Sequence, residues 1–377
     1  MEQRFSYTKS CDERSIRDTI KKVKMPKNSF VVFFASSNFD FHLVAKLVEE
    51  ELQGIPNIGC VSTGEITPEG YIDGTFSIFS VYSPDFNAKP IILTDLEKRV
   101  MLYKRRISNA LSDIGLDIND SHCTEKFFVL SLIDAFAACE ERMSTLLRNL
   151  FGQRKLNLVG GSAGNLGSGY SYVAINGRVE SNAAVLLFVK TTKKIMLYNE
   201  NIYNIKGNMH MVTESDFISR TVYKADDIPF LDLYSKEIGV PKDKIDSNVF
   251  AKNPIGRVSN GRTYIASPLK VNSNDSITFY TRVLAGRQFY FMEASDLIEV
   301  TKETANEIKN NFRKVDLVIG FNCILRFLQM QNEGTCRKAY EAICDITNAP
   351  YFGFTTLGEQ IETMHANQTL TLIALGE

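Results

Sequence analysis

The chain has 377 residues, room for two or three domains, and its 44% hydrophobic and 11% aromatic content fills a core and argues against a disordered chain. A formal net charge of −1 gives no electrostatic case for nucleic acid or an anionic membrane. Met1–Asp12 lacks the apolar stretch of a signal peptide, Ala183–Val189 is far too short to span a bilayer, and seven scattered cysteines without a C-x-x-C pair suit reduced thiols; a cytoplasmic protein without a membrane span is expected.

Residues 1–28 read as a lead-in with one short amphipathic helix. Ser29–Ala35 (S-F-V-V-F-F-A) is a buried strand, and Ser36, Ser37, Asn38 and Asp40 offer N-caps for a helix carrying Phe41, Val44, Val48 and Leu52. Ile58–Val61 starts a second strand that breaks at S-T-G-E (Ser62–Glu65), and Thr75–Tyr82 is a third. A long basic helix is expected over Asp95–Ile114, with the stripe Leu96, Val100, Tyr103, Ile107, Leu111 and Ile114, and with Lys98, Arg99, Lys104, Arg105 and Arg106 as a solvated face or a docking patch.

The same plan then recurs. Phe127–Leu132 is a strand, Met143, Leu146, Leu147 and Leu150 mark a helix, and Leu156–Val159 is a strand broken by G-G-S-A-G-N (Gly160–Asn165). Tyr170–Ile175 and Ala183–Val189 are expected to meet through the Asn176-Gly177 turn. A third copy runs from Val315–Phe321 through N-C-I-L-R (Asn322–Arg326), a helix with Ala339, Ile343 and Ile346, a strand Tyr351–Phe354, a glycine turn, and a closing strand Leu370–Leu375. The first and third turns share G-x-x-x-x-G-E, at Gly59, Gly64, Glu65 and Gly353, Gly358, Glu359. Strand–helix–strand units demand parallel pairing and the following hairpins antiparallel pairing. The expected class is therefore mixed α/β, with mixed sheets covered by helices. A different stretch, Lys194–Phe312, holds short strands, a helix near Asp232–Ile238, and a helix Asp296–Phe312 capped by Ser295. A boundary at Lys190–Lys194 divides the chain into domains 1–192 and 193–377.

These segments resemble the FIST family, whose N-terminal and C-terminal regions would cover nearly all of the chain. The marks are I-G-C-V-S-T-G-E-I (58–66), L-V-G-G-S-A-G-N (158–165), M-V-T-E (211–214), P-F-L-D-L-Y (229–234), G-F-N-C-I-L-R (320–326), G-F-T-T-L-G-E (353–359) and H-A-N-Q-T-L-T-L (365–372). The resemblance implies a sensory ligand-binding protein of signal transduction rather than an enzyme. Small ligands such as amino acids are proposed for the family, and some members resemble haem-based nitric oxide sensors that act on a partner histidine kinase. Haem b is therefore an expected cofactor, and a small carboxylate is the alternative ligand. With no kinase, methyl-accepting or cyclase region in the sequence, the signal would pass to a separate protein.

The strand-end corners nominate Gly161, Ser162, Asn165, Cys323, Arg326, Thr356, Gly358 and Glu359 as ligand-binding residues. Gly160–Gly164 satisfies G-x-S-x-G, but a nucleophile elbow needs a helix after the turn and a β pattern follows, so a hydrolase using Ser162 stands as the alternative function and a glycine turn as the simpler reading. Backbone N–H groups of such a turn can line an anion-binding concavity. Cys60 and Cys323 have no sequence-local histidine and read as buried structural thiols. Arg326, five residues past a strand, suits either a carboxylate at a helix start or a surface ion pair. Glu65 and Glu359 are expected to accept backbone N–H bonds across their turns. His210 and His365 are candidate axial haem ligands beside the alternative of hydrogen-bonded structural histidines; His42 reads as a helix-start residue and His122 as a loop residue. No zinc spacing, P-loop or covalent haem motif occurs.

Overall fold

Phe30, Val32 and Phe34 alternate with Val31, Phe33 and Ala35 along one strand, and both sets are buried. A strand covered on both faces has no solvent side, which is why S-F-V-V-F-F-A shows no polar alternation. The structure, a computed structural model, describes residues 1–165, 167, 169–259 and 262–377, and of residues 97, 99–101, 259 and 262 the backbone only. The expected roles of Arg99 and Val100 in the basic helix, and of Leu166 and Ser168 after the G-x-S-x-G turn, lie outside the described residues.

In chain order, β1 (Glu2–Thr8) and α1 (Glu13–Val23) precede β2 (Phe30–Ser36), α2 (Phe41–Glu51), β3 (Asn57–Ser62), the hairpin β4 (Glu65–Thr67) and β5 (Gly70–Ile72), and β6 (Phe76–Tyr82). Next come β7 (Asn87–Thr94), α3 (Leu96–Arg99), α4 (Lys104–Asp113), β8 (Phe127–Asp134), α5 (Glu140–Phe151), β9 (Leu158–Ala163), the hairpin β10 (Val173–Ile175) and β11 (Arg178–Glu180), and β12 (Ala183–Lys190). After β13 (Lys194–Asn201) the chain forms β14 (Tyr203–Asp216), β15 (Thr221–Ala225), β16 (Ile228–Pro229), α6 (Phe230–Ile238) and α7 (Ser247–Lys252). It continues through β17 (Ile255–Ser259), β18 (Arg262–Ala266), β19 (Pro268–Val271), β20 (Ile277–Phe279), β21 (Gln288–Ala294) and α8 (Leu297–Asn311). The last copy is β22 (Val315–Cys323), α9 (Ile324–Glu333), α10 (Cys336–Thr347), β23 (Tyr351–Thr356), the hairpin β24 (Glu359–Ile361) and β25 (Met364–Ala366), and β26 (Thr369–Gly376).

Each copy pairs its first two strands in parallel across a helix: β2 with β3, β8 with β9, and β22 with β23. The return strand, β6, β12 or β26, runs antiparallel beside the first. The short hairpin between them leaves its own sheet. β4–β5 joins β23, β24–β25 joins β9, and β10–β11 joins β3, so the exchange is cyclic. Three six-stranded sheets with matching order result: β1-β6-β2-β3-β10-β11, β7-β12-β8-β9-β24-β25 and β13-β26-β22-β23-β4-β5. Their inner faces share one core, with Phe34 stacked on Phe354 at 4.5 Å and Phe79 on Phe352 at 5.3 Å. On the outer faces, α1 and α2 cover Val31 and Phe33, while α4 and α5 cover Phe127 and Val129.

Contacts divide the chain into two compact units, which do not follow the halves 1–192 and 193–377. One holds residues 1–199, 301–365 and 370–377, and therefore the repeats; the other holds 200–300 and 366–369. The second has its own sheet, β18-β17-β21-β14-β15-β20-β19 with β16 beside β15, and a core around Phe230, Tyr234, Phe289 and Phe291. No described helix is long and apolar enough to cross a membrane.

Four local expectations are corrected. The lead-in contains β1 as well as a helix, because Glu2–Thr8 finds a ladder partner in β6. The Asp95–Ile114 helix is broken: α3 and α4 are separated by a 3-10 turn, Val100–Tyr103, and Asp95 sits at φ 50. Asn176-Gly177, both at positive φ, joins β10 to β11 rather than to Ala183–Val189, which lies in another sheet. Ahead of α8 it is Asp296 whose carboxylate accepts from Glu299 N (3.0 Å), while Ser295 Oγ accepts from Asn204.

Candidate functional site

The register of the parallel pairs puts Ser36 opposite Ser62, Asp134 opposite Ala163, and Cys323 opposite Thr356. These are the carboxyl ends of the strands, where open α/β units place ligands. The three corners are laced together in the same cyclic sense as the hairpins. Thr355 N donates to Gly64 O (2.7 Å), Ser162 N to Gly358 O (2.7 Å), and Gly164 N to Val61 O (2.9 Å). The structure therefore gathers the predicted turns into one place, and their side chains are buried: Ser62, Glu65, Ser162, Thr356 and Glu359 are all inaccessible to solvent.

Glu65 is held chiefly by hydroxyls, not by the backbone N–H groups expected from its glycine turn. Ser36 Oγ donates to both carboxylate oxygens at 3.1 and 3.2 Å, and Ser62 and Thr75 donate as well. Burial outweighs these donors and pushes the carboxyl up to about 7. Glu359 repeats the pattern, accepting from Thr356 Oγ1 at 2.7 Å. Thr356 holds the register position of Ser62, so the shared G-E spacing marks a shared hydroxyl–carboxylate pair.

Arg326 lies in the first turn of α9 and is 2% exposed, with Nε donating to Asn322 Oδ1 at 3.1 Å. The surface ion pair is thus set aside, since a guanidinium is desolvated only where polar groups meet it. Cys323 flanks the same helix and is buried, as is Cys60, whose thiol burial holds well above its ordinary value. At such a value Cys60 stays a thiol and is no nucleophile.

Ser162 lies within β9, not on a turn into a helix. Its Oγ donates to Glu140 Oε1 (3.0 Å) and accepts from Gln360 Nε2 (2.9 Å). Gly161 faces Thr356: a Cβ there would stand 2.3 Å from Thr356 Cγ2, so this glycine permits close packing. Asn165 Oδ1 accepts from Gly167 N (2.8 Å), closing its own loop. Gly358 is the residue against which His365 packs, a Cβ there lying 2.3 Å from His365 Nε2. Sequence reasoning passed over Ser36, Thr75, Glu140 and Gln360. Single polar residues beside apolar runs carry no spacing signal, and Glu140-Glu141 looks like the ordinary acidic first turn of a helix.

The histidines separate. His42, in the first turn of α2, meets Tyr172 edge-on, and exposed His122 pairs with Glu125. His210 Nδ1 bonds Asp226 Oδ2 at 2.7 Å, its Nε2 stands 3.9 Å from Glu237, and Phe289 and Phe291 pack on its ring. Burial raises the Asp226 carboxyl, but the bonds from His210 and from Met211 N, with the pull of the imidazole, together outweigh it and hold the group below its ordinary value. The His365 side chain is 4% exposed, with Nδ1 3.8 Å from Glu141 Oε1. A haem iron needs open space beyond the ligating nitrogen and an apolar wall for the ring. Gly358 closes one nitrogen of His365 and Glu141 stands before the other, while Asp226 bonds one nitrogen of His210 and the Glu237 carboxylate stands before the other. Haem b fits neither imidazole in this arrangement.

Comparison with known families finds two adjoining domains. The FIST N domain matches residues 29–227 and the FIST C domain residues 231–362. No curated protein matches the chain. FIST domains are associated with signal transduction and small-ligand sensing. The corner motifs, the three exchanged hairpins and both domain matches lead to one conclusion: this chain belongs to the FIST family.

Proposed function

We propose that this FIST chain is a sensory protein that takes a small carboxylate-bearing ligand, such as an amino acid, at its laced strand ends and passes occupancy to a separate signalling partner, such as a histidine kinase. The observation that carries this reading is buried Arg326, placed in the first turn of α9 beside the ends of β22 and β23. A guanidinium there offers a planar fork to a carboxylate, and the adjacent helix start favours negative charge. Glu359 supplies an acceptor for an ammonium group among the laced corners. Signalling then requires that the ligand bind two conformations unequally.

The test is a thermal-shift and calorimetric screen of the full chain against amino acids and small carboxylates, repeated with Arg326→Gln. A ligand that raises the midpoint in the parent and not in the variant supports the proposal. No response in the panel, or the same response in both, removes it. Haem is an arm of the same screen: a band near 400 nm on mixing, lost in His210→Ala or His365→Ala, would replace the carboxylate by haem and nitric oxide sensing. Labelling of Ser162 by a fluorophosphonate would favour the hydrolase alternative.

A further inference from the structure

The exchange of hairpins has a chemical consequence at α5. β24–β25 leaves the third copy and pairs with β9 of the second, which carries His365 to the first turn of α5. There one donor atom from each of Glu140, Glu141 and His365 lies within 4.8 Å of the others. We propose that these three side chains form a binding site for one divalent first-row metal ion. The site is independent of the carboxylate reading, since it uses neither Arg326 nor Glu359.

The donor set selects the ion class. One imidazole nitrogen with two carboxylate oxygens is a mixed borderline and hard set, suited to Zn²⁺, Mn²⁺, Fe²⁺ or Co²⁺ rather than to Ca²⁺ or Mg²⁺, which prefer all-oxygen shells. The distances suit an ion better than a hydrogen bond. His365 Nδ1 and Glu141 Oε1 stand 3.8 Å apart, beyond hydrogen-bonding range. Two donors on one ion with bonds of about 2.0–2.2 Å lie roughly 2.9–3.6 Å apart, so small side-chain rotations close the shell.

The surroundings orient this set. Gly358 packs against His365 Nε2, where a Cβ would lie 2.3 Å away, and this turns Nδ1 towards the glutamates. Ser162 Oγ donates to Glu140 Oε1 at 3.0 Å and is itself fixed by Gln360 Nε2 at 2.9 Å. Such outer partners aim metal-binding carboxylates, and Ser162 is thus a positioning residue. The three ligands differ in access: Glu140 is buried, the His365 side chain is 4% exposed and the Glu141 side chain is 19% exposed, which leaves a side for the ion to enter and for an external ligand to complete its shell.

The experiment uses the full chain stripped with EDTA and titrated with Zn²⁺ by calorimetry and with Co²⁺ by visible absorption. The expected result is one ion per chain, Co²⁺ ligand-field bands, and affinity reduced at least tenfold in both Glu141→Gln and His365→Asn. Glu141→Gln is the safer variant because its side chain reaches solvent, and circular dichroism verifies that each variant is folded. Ser162→Ala should weaken binding about tenfold, in line with outer-partner losses. Arg326→Gln should leave the titration unchanged, so failure of the carboxylate proposal and failure of this one are distinguishable. Absence of binding in the parent chain, or unchanged affinity in both ligand variants, overturns the site.

Discussion

Gly161 of β9 faces Glu359 of β24 across an antiparallel ladder, so residues from the second and third copies share one sheet. Because every copy both gives and receives a hairpin, none of the three sheets is complete from its own sequence. The glycine is required by the crossing: a Cβ at residue 161 would come within 2.3 Å of Thr356 Cγ2. Gly161→Ala should therefore destabilise the chain by about 1–3 kcal/mol, as overpacking does in a dense core. Urea unfolding gives the answer, and a midpoint equal to that of the parent would show that Thr356 and β23 yield without strain.

Glu65 makes stability depend on pH. Its folded carboxyl sits at about 7 against an ordinary 4.5, so the folded state keeps a proton that the unfolded chain has lost. The contribution is fully present below about 4.5, falls as pH rises through 7, and is flat beyond. The total change is about 3 kcal/mol at the usual conversion. Glu65→Gln removes the titration, so the gap in unfolding free energy between variant and parent should shift in favour of the variant between pH 5 and pH 8. A gap that stays constant across that window would contradict a buried, proton-holding Glu65.

Ser162 tests structure against catalysis. Its hydroxyl bridges Glu140 and Gln360 in a site without solvent. Ser162→Ala removes a donor from a buried carboxylate and an acceptor from a buried amide, and should destabilise by about 1–3 kcal/mol. The parent should resist fluorophosphonate labelling at this residue. Mass spectrometry showing a Ser162 adduct would reverse the assignment.

In the second compact unit, Asp226 accepts from His210 Nδ1 and from Met211 N at 2.9 Å, at a backbone φ of 49. Asparagine tolerates that φ but loses the charge, so Asp226→Asn should destabilise by about 1–2 kcal/mol. The Asp226 carboxyl is held low when folded, so its contribution is present above its unfolded value and disappears as pH falls through the folded one. Parent and variant should therefore converge in acid. A constant difference down to pH 2 would exclude the Asp226 carboxylate as the cause.

Local pattern revealed most of the elements. Apolar runs at Phe30–Ser36, Phe127–Asp134 and Val315–Cys323 are strands because each needs burial on both faces, and helical spacing located α2, α5 and α10 between them. Where long-range pairing overruled local signal, the reading slipped: β1 needed β6 as partner, and Asn176-Gly177 turned within a guest hairpin rather than towards β12. The corner motifs exposed Glu65, Ser162 and Glu359, but not Ser36, Thr75 or Glu140, whose roles depend on neighbours far along the chain.

Sequence by itself determined that this protein is built from three similar strand–helix–strand copies with glycine corners, because periodicity and turn chemistry act over a few residues. Only the tertiary structure decided which sheet each hairpin enters, and hence that His365 arrives beside Glu140 and Glu141 and that Arg326 is buried rather than on the surface. Strand partners are chosen by backbone hydrogen bonds and shared burial between distant segments, and those energies leave no mark in the spacing of residues along a single chain.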